Sequence, residues 1–123
     1  MSRNPSRKHL GRAGENFAAR FVESRGLEIL ERNYRTREGE IDIVARDGHI
    51  IVFIEVKTRR TDTCGLPIEA IDEKKQEKLK DLAELYLINK DLSDPEVRFD
   101  AFTIRFDSEK GKWVAQWIKR AFY

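Results

Sequence analysis

Two β-branched runs, Glu40-Ile41-Asp42-Ile43-Val44-Ala45-Arg46 and Ile50-Ile51-Val52-Phe53-Ile54-Glu55-Val56-Lys57, flank Arg46-Asp47-Gly48-His49. An Asp-Gly pair between such runs is a strong signal for a β-hairpin. With Asp47-Gly48 as the two-residue turn, Glu40 faces Glu55 and Asp42 faces Phe53. Side chains alternate along a strand, so Glu40, Asp42, Phe53, Glu55 and Lys57 are expected on one side of the sheet. Ile41, Ile43, Val52, Ile54 and Val56 take the other side, which is core. Asp42 and Glu55 are then diagonal neighbours, with Cβ atoms roughly 7–8 Å apart.

Two carboxylates at that spacing can converge on one hard cation. Mg²⁺ takes oxygen ligands, keeps several waters, and can supply one of them as a nucleophile. Lys57, two positions beyond Glu55, would orient or deprotonate that water, or stabilise charge building on a phosphate. The same residues also suit a solvated sheet face with weak ion pairs. Against that stands the crowding of three acids on one face with one lysine in register, which is unfavourable unless a cation offsets it. Glu40 suits either an additional or second-metal ligand or an ion pair with Arg35, Arg37 or Lys57.

In order along the chain come Gly11-Arg12-x-Gly14-Glu15, Asn33-Tyr34-Arg35, Gly39-Glu40-Ile41-Asp42-Ile43-Val44, Val52-Phe53-Ile54-Glu55-Val56-Lys57-Thr58-Arg59 and Arg98-Phe99-Asp100. Over roughly residues 9–107 this series resembles the YraN-like family of bacterial proteins. That family is identified as a member of the PD-(D/E)xK nuclease superfamily, similar in layout to archaeal Holliday junction resolvases, which cleave branched DNA with Mg²⁺. The resemblance implies a restriction-endonuclease-like α/β fold, a mixed sheet flanked by helices. It also implies that Asp42 and Glu55 are metal ligands, Lys57 is the catalytic lysine, and Glu15 is the acid on the first helix that completes the site. From the residues alone, Glu15 lies at the edge of the apolar stripe and suits either solvent or the sheet.

The chain has 123 residues, enough for one core and not two, so a single domain spanning 1–123 is expected, with 1–8 a flexible basic arm. Charged residues make up 37% and hydrophobic residues 40%, and no apolar run suits a signal peptide or membrane span, so a cytoplasmic protein is expected. Cys64 is the single cysteine, and His9 and His49 are the only histidines, which leaves no zinc-type ligand set. Net charge is only +2, but its distribution is uneven. Arg3, Arg7, Lys8 and Arg12 crowd the N-terminus, Arg59 and Arg60 follow the acidic hairpin, and Lys74, Lys75, Lys78 and Lys80 stud one stretch. Of these, Arg12, Arg59, Arg60, Lys74 and Lys78 are the candidate phosphate-binding residues. Lysines on a helix face also serve plain solubility, and for Lys75 and Lys80 both readings stand.

Apolar spacing predicts a helix over 9–25 with Leu10, Ala13, Gly14, Phe17, Ala18, Phe21 and Val22 inward, ended by Gly26. A strand follows over 27–35. After the hairpin comes a polar loop, Thr61 to Pro67, and then a second helix over 69–89 burying Ile71, Leu79, Leu82, Ala83, Tyr86 and Leu87. A strand over 97–106 puts Val97, Phe99, Ala101 and Thr103 opposite Arg98, Asp100, Phe102 and Ile104. Lys112 to Ile118 reads as an amphipathic strand or a strand-to-helix tail. Asp100 suits capping or orienting a basic residue.

These features point to a Mg²⁺- or Mn²⁺-dependent endonuclease in which Asp42, Glu55 and the Val56 carbonyl hold the metal, Lys57 acts on water or phosphate, and Glu15 supports the metal. The substrate expected is nucleic acid, DNA in a branched or otherwise structured form, and a homodimer would suit symmetric cutting. A catalytically inactive nucleic-acid-binding protein of the same fold and a protein-interaction module are the alternatives.

Overall fold

A computed structural model describes residues 7–60, 71–92 and 94–123. The elements are α1 (Arg7–Ser24), β1 (Glu28–Thr36), β2 (Gly39–Asp47), β3 (Ile50–Arg59), α2 (Glu73–Asn89), β4 (Glu96–Asp107) and β5 (Lys112–Phe122). The strands form one sheet in the order β1-β2-β3-β4-β5. All neighbours are antiparallel except β3 and β4, which are parallel. Parallel neighbours cannot be joined by a tight turn and need a crossover, and α2 is the element between them. The architecture is α/β, a mixed sheet with one helix on each face, as the resemblance implied.

Each face has its own core. Against α2 lie Tyr34, Ile41, Val44, Ile51, Phe53, Ala101 and Phe122, with Leu79, Leu82, Ala83 and Tyr86 from the helix. Against α1 lie Ile43, Ala45, Val52, Ile54, Phe102 and Ile104, with Ala18, Ala19 and Val22 from the helix. A sheet covered on both faces favours continuous apolar runs in its central strands, as in Ile50 to Ile54. Gly14 lets α1 approach closely, since a Cβ there would run into the Thr58 hydroxyl on β3. The buried side of α1 is Gly14, Ala18, Ala19 and Val22. That is rotated from the stripe predicted: Ala13 is exposed, and Phe17, expected inward, is 48% exposed. The rotation brings Glu15 onto the inward side, one helical turn from Ala18 and Ala19.

The hairpin turn is Gly48-His49, one residue later than expected. Asp47 pairs with Ile50 inside the ladder, where its carboxylate accepts from Arg98 Nη1 at 3.0 Å. Gly48 takes a positive φ of 62°, which suits a glycine at the first turn position. The pairing therefore shifts by two residues, matching Val44 with Phe53 and Ile43 with Ile54. A two-residue shift preserves faces, whereas a one-residue slip would invert them. One face assignment does fail, because Ile41 packs with α2 while Ile43 packs with α1. Alternation breaks at Asp42, and the β1–β2 pairing steps past Asn33, which sits at φ 54°.

Other boundaries shift for local reasons. Arg7 and Lys8, expected in the flexible arm, belong to α1, while the rest of that arm lies outside the described residues. Asp72 caps α2 by accepting from Lys75 N at 2.8 Å, so the helix starts at Glu73, and residues 69 and 70 of the helix predicted lie outside the described residues. The Thr61 to Pro67 loop, Cys64 included, lies outside the described residues. Lys112 onward is a strand to Phe122 with no helical tail.

Arg98 and Asp100 lock β4 to its neighbours from inside. Asp100 is fully buried and accepts from Arg98 Nε (2.9 Å) and Nη2 (3.0 Å), Trp117 Nε1 (2.9 Å) and Arg120 N (3.1 Å). The last bond holds a β5 irregularity in which Arg120 takes φ 53° and Phe122 turns back to pair with Phe99. Burial works against the Arg98 cation, but its bonds to Asp100 and Asp47 outweigh that and hold its pKa above the ordinary arginine value. The orienting role expected of Asp100 is thus structural. Asp100→Ala takes one of its two carboxylates from a buried guanidinium and leaves Trp117 Nε1 without its acceptor, and should cost about 3–5 kcal/mol in urea unfolding; a destabilisation under about 1 kcal/mol would contradict the lock.

Candidate active site

The β2–β3 ladder runs from the turn to the pair Ile43 and Ile54. Carried one step further, that register sets Asp42 opposite Glu55. There the Asp42 side chain takes over from the ladder, its Oδ2 accepting from Val56 N at 2.8 Å. Asp42 is 7% exposed and Glu55 is 5% exposed. Burying two carboxylates side by side is costly unless something cationic or a proton offsets the charge.

The site shows that cost. Burial, then the charge of Glu55, pushes the Asp42 carboxyl up to about 7; the Val56 hydrogen bond pulls the other way, and Glu15 and Glu40 add to the rise. Glu15 is raised too, by burial and by Glu40, against the lowering effects of Arg32 and of a hydrogen bond from the Asn33 side chain, with Glu55 adding to the rise. Four acids from three elements, Glu15, Glu40, Asp42 and Glu55, therefore share one electrostatic neighbourhood. Two lysines answer them, since Glu55 Oε1 lies 3.4 Å from Lys57 Nζ and 3.6 Å from Lys75 Nζ.

Glu40 makes the ion pair considered for it, with Arg35 Nε at 2.9 Å, and still raises its acidic neighbours. Beside the acids opens a cleft of about 580 Å³ lined by Glu15, Val56, Lys57, Thr58, Arg59 and Arg60, with Leu10 and Gly11 of α1. Asp42 and Glu55 are not among the described residues that line it. Arg12, Lys74 and Lys78 are exposed outside it, with Lys78 close over Gly39 at the β1–β2 turn.

Two residues of the site escape a reading of the sequence. Asn33 belongs to the Asn33-Tyr34-Arg35 motif, but its bond to Glu15 depends on a positive φ that spacing does not reveal. Lys75 looks like one more surface lysine. The available signal is its place three residues after Asp72, where a capped helix favours Glu or Gln.

Among the described residues no three His, Cys, Asp or Glu side chains are arranged as a finished metal cage. Mg²⁺ does not require one, because it binds through one or two carboxylates and completes its shell with waters and substrate phosphate. The paired acids, with the Asp42 carboxyl pushed up by burial and then by the charge of Glu55, fit such an ion.

Residues 14–104 match Uncharacterised protein family UPF0102. The chain belongs to that family, the YraN-like family of the sequence resemblance. Its relatives include a UPF0102 protein of Dictyoglomus turgidum, 47% identical over 110 residues that cover 89% of this chain and 92% of the relative. A UPF0102 protein of Moorella thermoacetica is 43% identical, covering 95% of this chain and 98% of the relative. Among solved structures, SfsA of Pyrococcus furiosus in complex with Ca²⁺ aligns with 91% of this chain and 63% of its own, at 14% identity and a TM-score of 0.36. Among the described residues no helix is long and apolar enough to cross a membrane.

Because the folded-state pKa of Asp42 lies above its unfolded value, the folded protein holds a proton there that the unfolded chain has lost. That contribution is fully present below about pH 4 and is lost as pH rises through about 7. In metal-free buffer, Asp42→Asn should be more stable than wild type at pH 8, with the advantage vanishing near pH 4, as read from denaturant midpoints. An advantage independent of pH would contradict the assignment.

Proposed function

We propose that this protein is a divalent-metal-dependent endonuclease that hydrolyses phosphodiester bonds in branched or otherwise structured DNA. The observation that supports this reading best is the buried pair Asp42 and Glu55 beside a basic cleft, with the Asp42 carboxyl pushed up to about 7 by burial and the charge of Glu55. Mg²⁺ or Mn²⁺, when bound, supplies Lewis acidity toward the phosphate and activates water. Asp42, Glu55 and the Val56 carbonyl hold the ion, and Glu15 completes its surroundings from α1. Lys57 orients water or steadies the phosphate from the cleft wall. Arg59 and Arg60 hold the nucleic-acid backbone within the cleft, and Arg12, Lys74 and Lys78 extend the basic surface outside it. A homodimer, suited to cutting two symmetric strands, and a cytoplasmic location complete the proposal.

A second reading is a nucleic-acid-binding protein of the same fold without turnover. It is favoured by Lys57 and Lys75, which already neutralise Glu55 with no metal. A cleavage screen over duplex, flap, four-way junction and single-stranded DNA and RNA, each with Mg²⁺, Mn²⁺ or chelator, separates the two. The nuclease reading expects metal-dependent cutting that Asp42→Asn and Glu55→Gln abolish without unfolding the domain. Lys57→Ala should keep calorimetric metal binding while its turnover falls by a factor of about 10² or more. Metal and nucleic-acid binding with no cutting of any substrate would select the second reading, and no metal binding at all would end the nuclease reading.

Binding should also be salt-dependent. Neutralising Arg12, Arg59, Lys74 or Lys78 singly should flatten the slope of log affinity against log salt by about 0.9 on duplex DNA, the value for one phosphate no longer neutralised. Affinity that ignores ionic strength would contradict the basic surface.

A further inference from the structure

We propose that Lys75 is a second phosphate-binding lysine of this site, held on Glu55 until a divalent cation takes that carboxylate. The proposal rests on the nuclease reading and adds a substrate-binding group from α2, on the opposite face of the sheet from α1.

Lys75 stands where a lysine is locally unfavourable. It is the third residue of α2, and its N–H is already satisfied by the Asp72 cap. The positive end of a helix dipole disfavours a cation, and that position of a capped helix favours Glu or Gln. A residue that breaks the local rule is commonly held there by function.

Its ammonium is 3.6 Å from Glu55 Oε1, an oxygen that also has Lys57 Nζ at 3.4 Å. Both distances exceed the roughly 2.7–2.9 Å of a charge-assisted hydrogen bond. Two like charges thus converge from β3 and α2 on one carboxylate oxygen, an arrangement that a single anion compensates only in part. The neighbouring lysine Lys80 has a different partner, Glu77 at 3.7 Å. Once a divalent cation engages Glu55, both ammoniums lose their anion while remaining beside the site. The non-bridging oxygens of a phosphodiester are the negative charges that restore the balance. Lys75 is 39% exposed at its side chain, so it has the freedom to move from carboxylate to phosphate.

The test compares wild type, Lys75→Ala, Lys75→Arg and, as control, Lys80→Ala. Affinity for short duplex DNA is measured against salt, once with Ca²⁺ and once with chelator, and Ca²⁺ affinity is measured separately by calorimetry without DNA. With Ca²⁺, Lys75→Ala should flatten the log–log slope by about 0.9, the signature of one phosphate fewer neutralised. Lys75→Arg should retain the slope and Lys80→Ala should match wild type. In chelator, where Glu55 keeps its lysines, Lys75→Ala should have the wild-type slope. Calorimetry should show Ca²⁺ binding several-fold tighter in Lys75→Ala, because a competing cation has been removed. If wild type binds both Ca²⁺ and DNA but Lys75→Ala keeps the wild-type slope in Ca²⁺ or gains no Ca²⁺ affinity, the role of Lys75 is overturned and the nuclease reading stands. If wild type binds neither, both fall.

Discussion

The arrangement depends on one interaction, the hydrogen bond from Val56 N to Asp42 Oδ2 at 2.8 Å. It stands where the antiparallel ladder between β2 and β3 stops, and it replaces a backbone acceptor with a carboxylate. A buried N–H must find a partner, so the carboxylate is fixed in place and facing Glu55. The consequence is repulsion between the two acids, which adds to burial in pushing the Asp42 carboxyl up. The ammoniums of Lys57 and Lys75 offset the charge of Glu55.

The remainder of the fold holds this pair against its own repulsion. From one face, α1 approaches β3 through Gly14 and brings Glu15 over the acids, with Asn33 steadying it. Among the described residues the buried Thr58 hydroxyl beneath that approach has no hydrogen-bond partner, a sign of how tightly the helix is pressed there. From the other face, Asp72 starts α2 where Lys75 reaches Glu55. Beyond the turn end of the hairpin, the Asp47, Arg98, Asp100 and Trp117 network ties β2, β4 and β5 into one unit. Charge buried for structure in that network is held by hydrogen bonds of 2.9–3.0 Å, whereas Glu55 meets its two ammoniums only at 3.4 and 3.6 Å.

Much of this is legible in the sequence because hairpin patterning tolerates an error of two residues. Placing the turn at Asp47-Gly48 misaligns the strands but leaves Phe53 and Glu55 on one face and Val52 and Ile54 on the other. The family motifs draw attention to Glu15, Asp42, Glu55 and Lys57 together. Ile41 is misassigned because alternation presumes uniform extended backbone, and in β2 it breaks at Asp42, between Ile41 and Ile43. Phe17 is misassigned because an aromatic counts toward an apolar stripe even when the helix is rotated so that Gly14 can meet Thr58. Lys75 stays undecided because its partner Glu55 is distant in sequence, and only the packing of α2 brings them together.

The most direct test of the central claim is to follow the Asp42 side-chain carboxyl carbon by NMR as a function of pH, with and without saturating Mg²⁺, with Asp42→Asn supplying the assignment. In the metal-free protein it should titrate near pH 7, moving to well below about pH 5 once the ion is bound, because a dication favours the charged form. An Asp42 that titrates near the ordinary value of about 4 and is unmoved by Mg²⁺ would contradict that claim.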